Sequence, residues 1–245
     1  MVYWIVIPVY NGVTTLPELL ERISRAVPDP GILAVDDGST DGTAELLTQM
    51  RIKCIRHPEN RGKGEALRSG FAEVLKEPVD AVVHLDADLQ HEPEYLPDFF
   101  AAFESGKGDL IIGTRDFQTG GMPFPRRMTN RLTSWAVRRM TGTSIADSQS
   151  GYRLIGRRVL EAIHPESRHF EFESEYLVLA ARAGFAIGEI PISTVYHGGP
   201  SSIRPWRDTM RFLRLMALSW CGGRQTHRFQ HRGPDSNVRQ QGLSE

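Results

Sequence analysis

The first half of the chain alternates short runs rich in β-branched residues with stretches whose apolar residues recur at helical spacing, and few folds accommodate that alternation. The β-branched runs predict strands at Trp4–Val9, Ile32–Val35, Ile52–Arg56, Ala81–Leu85 and Leu110–Ile112. Between the first two, Leu16, Leu19, Leu20 and Ile23 mark a helix, and Thr15 with Glu18 three positions later reads as a capping box. Further helices are predicted over Thr43–Met50, over Gly64–Leu75, and from Pro93 with Leu96, Phe99, Phe100 and Phe103 on one core-facing side. Strands separated by helices imply an α/β fold with a mainly parallel central sheet and helices on both faces.

Downstream, Gln118–Pro125 is rich in turn residues and reads as a loop that can serve as a lid. A basic helix over Arg126–Met140, a loop through Asp147–Arg153, a helix over Glu173–Ala183, a strand pair near Ala186–Val195 and a last helix from about Trp206 complete the reading. At 245 residues and 40% hydrophobic content, one domain over residues 1–221 can bury a large core. The polar, basic residues 222–245 are expected to be a disordered tail, either solvated or in contact with a membrane.

Lys plus Arg (29) nearly balances Asp plus Glu (30), so global charge gives no reason to expect a nucleic-acid partner. Cys54 and Cys221 cannot make a disulfide framework and read as buried, inert thiols of a reducing compartment. No signal-like leader opens the sequence, and the apolar stretch Phe212–Cys221 is interrupted by Arg214, well short of the roughly 20 residues a bilayer requires. A cytoplasmic protein, soluble or peripheral at the membrane face, is expected.

The chemistry concentrates where the predicted strands end. Val82 to Leu85 runs into Asp86-Ala87-Asp88-Leu89-Gln90, and in open parallel sheets ligands bind beyond such carboxyl ends. In an extended segment alternate residues face one way, so Asp86, Asp88 and Gln90 would converge on one hard cation, Mg2+ or Mn2+. The plainer alternative is a solvated strand end with helix-capping acids. Asp36 and Asp37 close the second strand, and adjacent acids need donors, which the base and ribose hydroxyls of a nucleotide supply. Ser39 to Gly42 reads as a turn with Asp41 as helix cap. Asn60-Arg61-Gly62-Lys63-Gly64 joins flexible backbone, two cations and a helix start, which can face a diphosphate or form a surface turn.

Ile7-Pro8-Val9-Tyr10-Asn11, Val35-Asp36-Asp37-Gly38-Ser39, Asn60-Arg61-Gly62-Lys63-Gly64 and Asp86-Ala87-Asp88-Leu89-Gln90 occur in an order and spacing that resembles the inverting family-two glycosyltransferases. The resemblance is greatest to the dolichyl-phosphate mannosyltransferase group and its polyprenyl-phosphate relatives. It runs from about Tyr3 to Leu213 and includes Gly113-Thr114-Arg115, Arg126-Arg127, Asp147 to Arg153, Glu173/Glu175, Glu189 to Ile192 and Ser202 to Pro205. It implies a GT-A (Rossmann-like) fold, with a metal at Asp86, Asp88 and Gln90 bridging the diphosphate of a GDP- or UDP-sugar. Pro8, Tyr10, Asp37 and Lys63 would frame the nucleoside, with Asn11, Asp36, Ala87, Ser202 and Arg204 also on the donor side. Arg115, Arg126, Arg127 and Arg153 would hold the phosphate of a polyprenyl acceptor, and Asp147 would position the acceptor or act as a base. Gly12 stands where many members have Glu, so the resemblance does not extend to the choice of base or sugar.

A phosphate acceptor is already ionised near neutral pH, so inverting attack on the anomeric carbon needs arginines more than a strong base. Lys63 or Arg204 could add a second cation at the leaving group. Arg138 and Arg139 read as an exposed basic helix face, which is also the plainer alternative for Arg126, Arg127 and Arg131. Rival readings are a soluble enzyme of the same fold acting on a sugar hydroxyl, a nucleotidyltransferase, and a silent nucleotide-sugar binding module. Membrane contact would need an amphipathic surface, a basic patch or a separate anchoring subunit. The helix after Trp206, with Met210, Leu213 and Met216 on one side, is the candidate surface.

Overall fold

The structure, a computed structural model, describes residues 1–115, 124–168 and 171–193, and of residues 124–127 and 129 the backbone alone. Its strands are β1 (Tyr3–Val9), β2 (Gly31–Asp36), β3 (Lys53–Arg56), β4 (Ala81–His84), β5 (Leu110–Arg115), β6 (Arg153–Gly156) and β7 (Ile187–Ile192). The helices are α1 (Leu16–Ala26), α2 (Thr43–Gln49), α3 (Lys63–Val74), α4 (Leu96–Glu104), α5 (Phe124–Thr141), α6 (Arg157–Ala162) and α7 (Glu171–Arg182). A 3-10 turn at Pro93–Tyr95 leads into α4.

One seven-stranded sheet runs β3-β2-β1-β4-β6-β5-β7. β1, β2, β3 and β4 are parallel neighbours, β5 pairs β7 in parallel, and only β6 is antiparallel to the strands beside it, β4 and β5. The sheet alternates residues between two cores, as a period of two requires. Ile5, Ile7, Ala34, Ala81 and Val83 pack with Leu16, Leu19, Ile23, Leu47 and Phe99 of α1, α2 and α4. Val6, Leu33, Val35, Val82 and Ile155 pack on the other face with Leu67 and Phe71 of α3, Val137 of α5, Leu160 of α6 and Tyr176 of α7. Each such side chain taken fully out of water contributes about 1.5–3 kcal/mol, so this two-sided burial fixes the strand ends that carry the acids.

The structure corrects several expectations. Thr15 is not a capping-box residue: its backbone is helical and its hydroxyl donates to the Gly12 carbonyl, because a turn over Gly12–Thr15 already feeds α1, while Glu18 pairs with Arg22. Residues 153–156, read as the end of a loop, form β6, and α6 follows it. In place of a strand pair near Ala186–Val195, the described residues hold the single strand β7, paired to β5. Cys54 is exposed, because β3 is the edge strand and only one of its four residues is even partly covered. Most of the Gln118–Pro125 loop, the helix near Trp206, Ser202, Arg204, Cys221 and the polar tail lie outside the described residues.

Candidate active site

The strand order reverses direction at β1, flanked by β2 and β4, so a crevice opens beyond the carboxyl ends of these three strands. Register places Pro8 beside Val35 and Val9 beside Asp36, and the Asp37 amide donates to the Val9 carbonyl at 2.8 Å. Pro8 is buried, whereas the next side chains, Tyr10 (51% exposed) and Asn11, face solvent. Asn11 has φ 55°, and it ties β1 to the loop after β2: its side-chain oxygen accepts from the Thr40 amide, and its own amide donates to Ser39 Oγ.

The two acids at the end of β2 are turned into the protein. Asp36 is fully buried; its Oδ1 accepts from the Ser39 amide, and its Oδ2 lies 3.5 Å from Arg56 Nε. Asp37 accepts from His57 Nδ1 (2.7 Å) and the Arg61 amide (3.0 Å) through Oδ1, and from the Gly62 amide (2.7 Å) through Oδ2. Its donors are therefore the protein's own, and they fasten the Asn60–Gly62 turn to the end of β2. Gly38 permits this closeness: it has φ +75°, and a Cβ there would sit 2.7 Å from the Asn60 nitrogen. The N-cap of α2 is Gly42, not the expected Asp41, which stands one residue earlier and accepts from the Thr43 amide at 3.1 Å.

Beyond β4 the acids do not lie on an extended segment. Residues 87–89 turn, Leu89 takes φ 58°, and the Gln90 amide donates to Asp88 Oδ1 at 3.0 Å. The reason for expecting Asp86, Asp88 and Gln90 to converge, strand alternation, is thus overturned: the segment turns, and the turn is closed on Asp88. Among the described residues no group of three or more His, Cys, Asp or Glu side chains is placed to hold a metal ion. A Mg2+ or Mn2+ site completed by a diphosphate does not require one, because one or two carboxylates with waters and phosphates suffice. Asp88 is exposed and Asp86 and Gln90 are partly so, three oxygen-bearing side chains of the type such a site takes.

Asp86 is held by Lys63, the first residue of α3. Lys63 Nζ lies 2.6 Å from Asp86 Oδ1 and 2.6 Å from Glu173 Oε1 of α7. Burial alone would lower the ammonium's pKa, but Asp86 and Glu173 outweigh it and raise it, so Lys63 stays charged between two carboxylates. Lys63 therefore orders the site from within. A loop glycine completes this corner: a Cβ at Gly151 would collide with Asp86 Oδ2 and sit 2.8 Å from Lys63 Nζ.

On the far side of the crevice, Arg115 at the end of β5 forks onto the fully buried Asp147, Nε to Oδ2 at 2.6 Å and Nη2 to Oδ1 at 2.9 Å. Asn130 of α5 and the Gln149 amide also donate to Asp147 Oδ1. Burial would raise the Asp147 pKa, but the Arg115 charge and these hydrogen bonds lower it. A carboxylate so held is a poor base. Arg153 is also enclosed: Nε donates to the Ser150 carbonyl, Nη1 to Glu173 and Nη2 to Ser148, at 2.6–2.8 Å. Burial pulls its pKa down to about 10, against the pull of Glu173 and Asp147. It locks the Ser148–Gly151 loop and does not reach toward an acceptor phosphate, as the sequence reading had it. Arg126 and Arg127 belong to the first turn of α5, one turn before Asn130, and their side chains lie outside the described residues.

His91 feels the charges of both sides. Buried beside Tyr152, it is held neutral, its pKa lowered to about 4 by burial and by Arg115 and Lys63, against Asp86 and Asp147. The sequence reading did not single out His91, His57 or Asn130. Gly151 and Glu173 stood in it only as matches to the family pattern. Nothing in their spacing marks them; long-range packing brings them to the crevice.

Residues 4–163 match the family described as Glycosyl transferase family 2. An undecaprenyl-phosphate mannosyltransferase of Micrococcus luteus is 34% identical over 201 residues, 78% of this chain and 82% of the relative. A polyprenol monophosphomannose synthase of Mycolicibacterium smegmatis is 32% identical over 201 residues, 77% of this chain and 76% of the relative. Glucosyl-3-phosphoglycerate synthase of Mycobacterium tuberculosis, crystallised with Mn2+ and UDP, shares the fold at TM-score 0.72 and 22% identity, over 90% of this chain and 80% of that one.

Proposed function

The chain belongs to glycosyl transferase family 2, and from that premise we propose that it transfers a hexose, mannose or glucose, from a nucleoside diphosphate sugar to a polyprenyl phosphate, inverting the anomeric carbon. The observation that carries the acceptor assignment is the state of Asp147. It sits in the loop facing the Asp86–Lys63 corner, is fully buried, and is kept ionised by a two-point pair with Arg115. A sugar hydroxyl would need a base to lose its proton, and Asp147 is too weak for that. A phosphate needs none. By their names, one relative is an undecaprenyl-phosphate mannosyltransferase and the other makes polyprenol monophosphomannose, which supports the same class of acceptor.

In this reading Tyr10 and Asn11 line the nucleoside side, and the Asp37-fastened turn sets the start of α3 opposite the diphosphate. Asp88, Gln90 and Asp86 would hold Mg2+ or Mn2+, which when bound supplies positive charge to the departing diphosphate. Asp147 positions Arg115 at the acceptor side, while Arg126 and Arg127 are the arginines proposed to meet the incoming phosphate. An oxygen of that phosphate forms the new bond to the anomeric carbon as the bond to the nucleoside diphosphate breaks, the electron pair leaving with the diphosphate.

The test is to incubate purified protein with GDP-mannose or UDP-glucose and Mn2+ or Mg2+, offering polyprenyl phosphate or free sugars as acceptor. Nucleoside diphosphate release that depends on the lipid phosphate, with an inverted glycosyl phosphate product, is expected. Transfer to sugar hydroxyls alone would reject the acceptor class, and pyrophosphate release would indicate nucleotidyl transfer.

A further inference from the structure

Helix α5 is built inside out. Its buried side chains include Asn130, Thr133 and Ser134, with Val137, and these bond the site loop: Asn130 to Asp147, and Ser134 to Ser148. Its large apolar side chains point the other way. Met128 is 50% exposed, Leu132 48% and Trp135 57%, and apart from Met1, Val2 and Tyr10 they are the exposed large hydrophobics among the described residues. At 3.6 residues per turn, positions 128, 132 and 135 fall on one stripe, with exposed Arg139 on its continuation and exposed Arg131 at its flank. The helix carries five arginines and no acid over Phe124–Thr141, in a chain whose formal net charge is −1.

We propose that the outer face of α5 seats the protein on an anionic lipid bilayer, Met128, Leu132 and Trp135 entering the headgroup boundary and Arg131 and Arg139 meeting lipid phosphates. Charge complementarity selects this occupant: a half-exposed apolar stripe edged by arginines, on a helix without a carboxylate, matches an interfacial amphipathic helix. Trp and Arg suit that depth because each joins an apolar body to a polar head. The inner face of the same helix holds Asp147 and through it Arg115, so docking would bring the acceptor side of the crevice to the plane where lipid phosphates lie. No described helix is long and apolar enough to cross a membrane, so a surface of this kind would supply the contact. The sequence reading places it after Trp206 and takes only Arg138 and Arg139 of α5 as an exposed basic face.

The experiment is co-sedimentation of the full chain with phosphatidylcholine vesicles, with and without phosphatidylglycerol. It compares wild type, the double variant Leu132→Glu/Trp135→Glu, and Arg131→Glu/Arg139→Glu. Wild type should bind the anionic vesicles and each variant should bind at least about tenfold more weakly, with a native circular dichroism spectrum and unchanged release of nucleoside diphosphate with a short-chain, water-soluble prenyl phosphate. Equal binding by all three proteins would overturn the proposal. So would either of two findings without vesicles: a dimer in sedimentation velocity that Trp135→Glu abolishes, assigning the face to a second copy, or a Trp135 contribution to fluorescence, obtained by difference from Trp135→Phe, that iodide cannot quench, showing the face covered by the chain itself. Loss of turnover on every acceptor with vesicle binding intact would instead count against the acceptor assignment and leave the docking face standing.

Discussion

The two sides of the crevice handle charge in opposite ways. On the donor side, acids are held by backbone N–H groups and by cationic or imidazole side chains: Asp37 accepts from the Arg61 and Gly62 amides and from His57, Asp36 lies near Arg56, and Asp86 faces Lys63. On the acceptor side, arginines are held by acceptors, Arg115 by a carboxylate and Arg153 by three carbonyls. Both arrangements fix loops. The donor side nevertheless leaves several motif side chains at the surface, Tyr10, Asn11 and Asp88 among them, whereas Arg115 and Arg153 of the acceptor side are both buried. The difference separates motif residues that meet a ligand from those that hold the crevice in shape, and substitutions should sort the same way.

Asp88→Ala should show the largest effect and the cleanest separation. With its carboxylate lost at an exposed turn, kcat should fall by roughly a thousandfold, about 4 kcal/mol of charge stabilisation, while thermal unfolding shifts little. Nucleotide titrations should show weakened Mn2+-dependent donor binding. Unchanged metal-dependent affinity would remove Asp88 from the donor side of the comparison.

Asp147→Asn should do the reverse, acting first on stability. Asn cannot balance the buried Arg115 charge, and breaking a buried pair costs about 3–5 kcal/mol, which calorimetry should read as roughly 10 °C for a chain of this size. The pH dependence follows from the direction of the shift. Asp147 has its folded pKa depressed, so the pair's contribution is complete above the unfolded value of about 3.9 and is lost as pH falls through the folded one. The gap between wild type and variant should be level from neutral pH to about 5 and close below about 4. A gap that closed nearer neutrality would mean Asp147 is not held ionised, and with that the argument for a phosphate acceptor would weaken.

Glu173→Gln should fall between these two in character and below them in size. It removes one of the two carboxylates on Lys63, at about 2 kcal/mol for a charge-assisted hydrogen bond. Because Lys63 then leans on Asp86 alone, donor KM should rise severalfold while the fold persists. A variant with wild-type kinetics and only a lowered melting temperature would confine Glu173 to packing.

The sheet was legible where two-residue alternation met β-branched residues, and β1, β2 and β4 lie within a residue of expectation. β6 was not, because Arg153–Gly156 is four residues long and becomes a strand only by inserting between β4 and β5, which no local pattern announces. The residue types of the site were legible too, but not which way they face. Asp36, Asp37 and Arg153 sit at the ends of strands where ligands are expected, yet their partners come from backbone groups 3 to 25 residues away. The turn at Asp86–Gln90 escaped notice because Leu, which disfavours positive φ, adopts it at position 89. Helix α5 misled for a simpler reason: its arginines were counted, and its outward Met128, Leu132 and Trp135 were not set against its inward polar residues.

Tyr10→Ala is the smallest effect and the finest test of the comparison. Tyr10 closes β1 beside the buried Pro8 and is half exposed, and no hydrogen bond from its hydroxyl is among the described contacts. An aromatic face presented to a crevice can stack on a nucleobase, which elsewhere is worth about 1–3 kcal/mol. Removing the ring should raise donor KM by about tenfold, about 1.4 kcal/mol, and leave kcat and melting temperature near wild type. Tyr10→Phe keeps the face and should restore the KM. If both substitutions raised KM equally, the hydroxyl would be the recognising group and the stacking assignment would fail. If neither did, Tyr10 would join the residues that only shape the crevice, and the contact from solvent on the donor side would be left to Asp88 and the other exposed motif side chains.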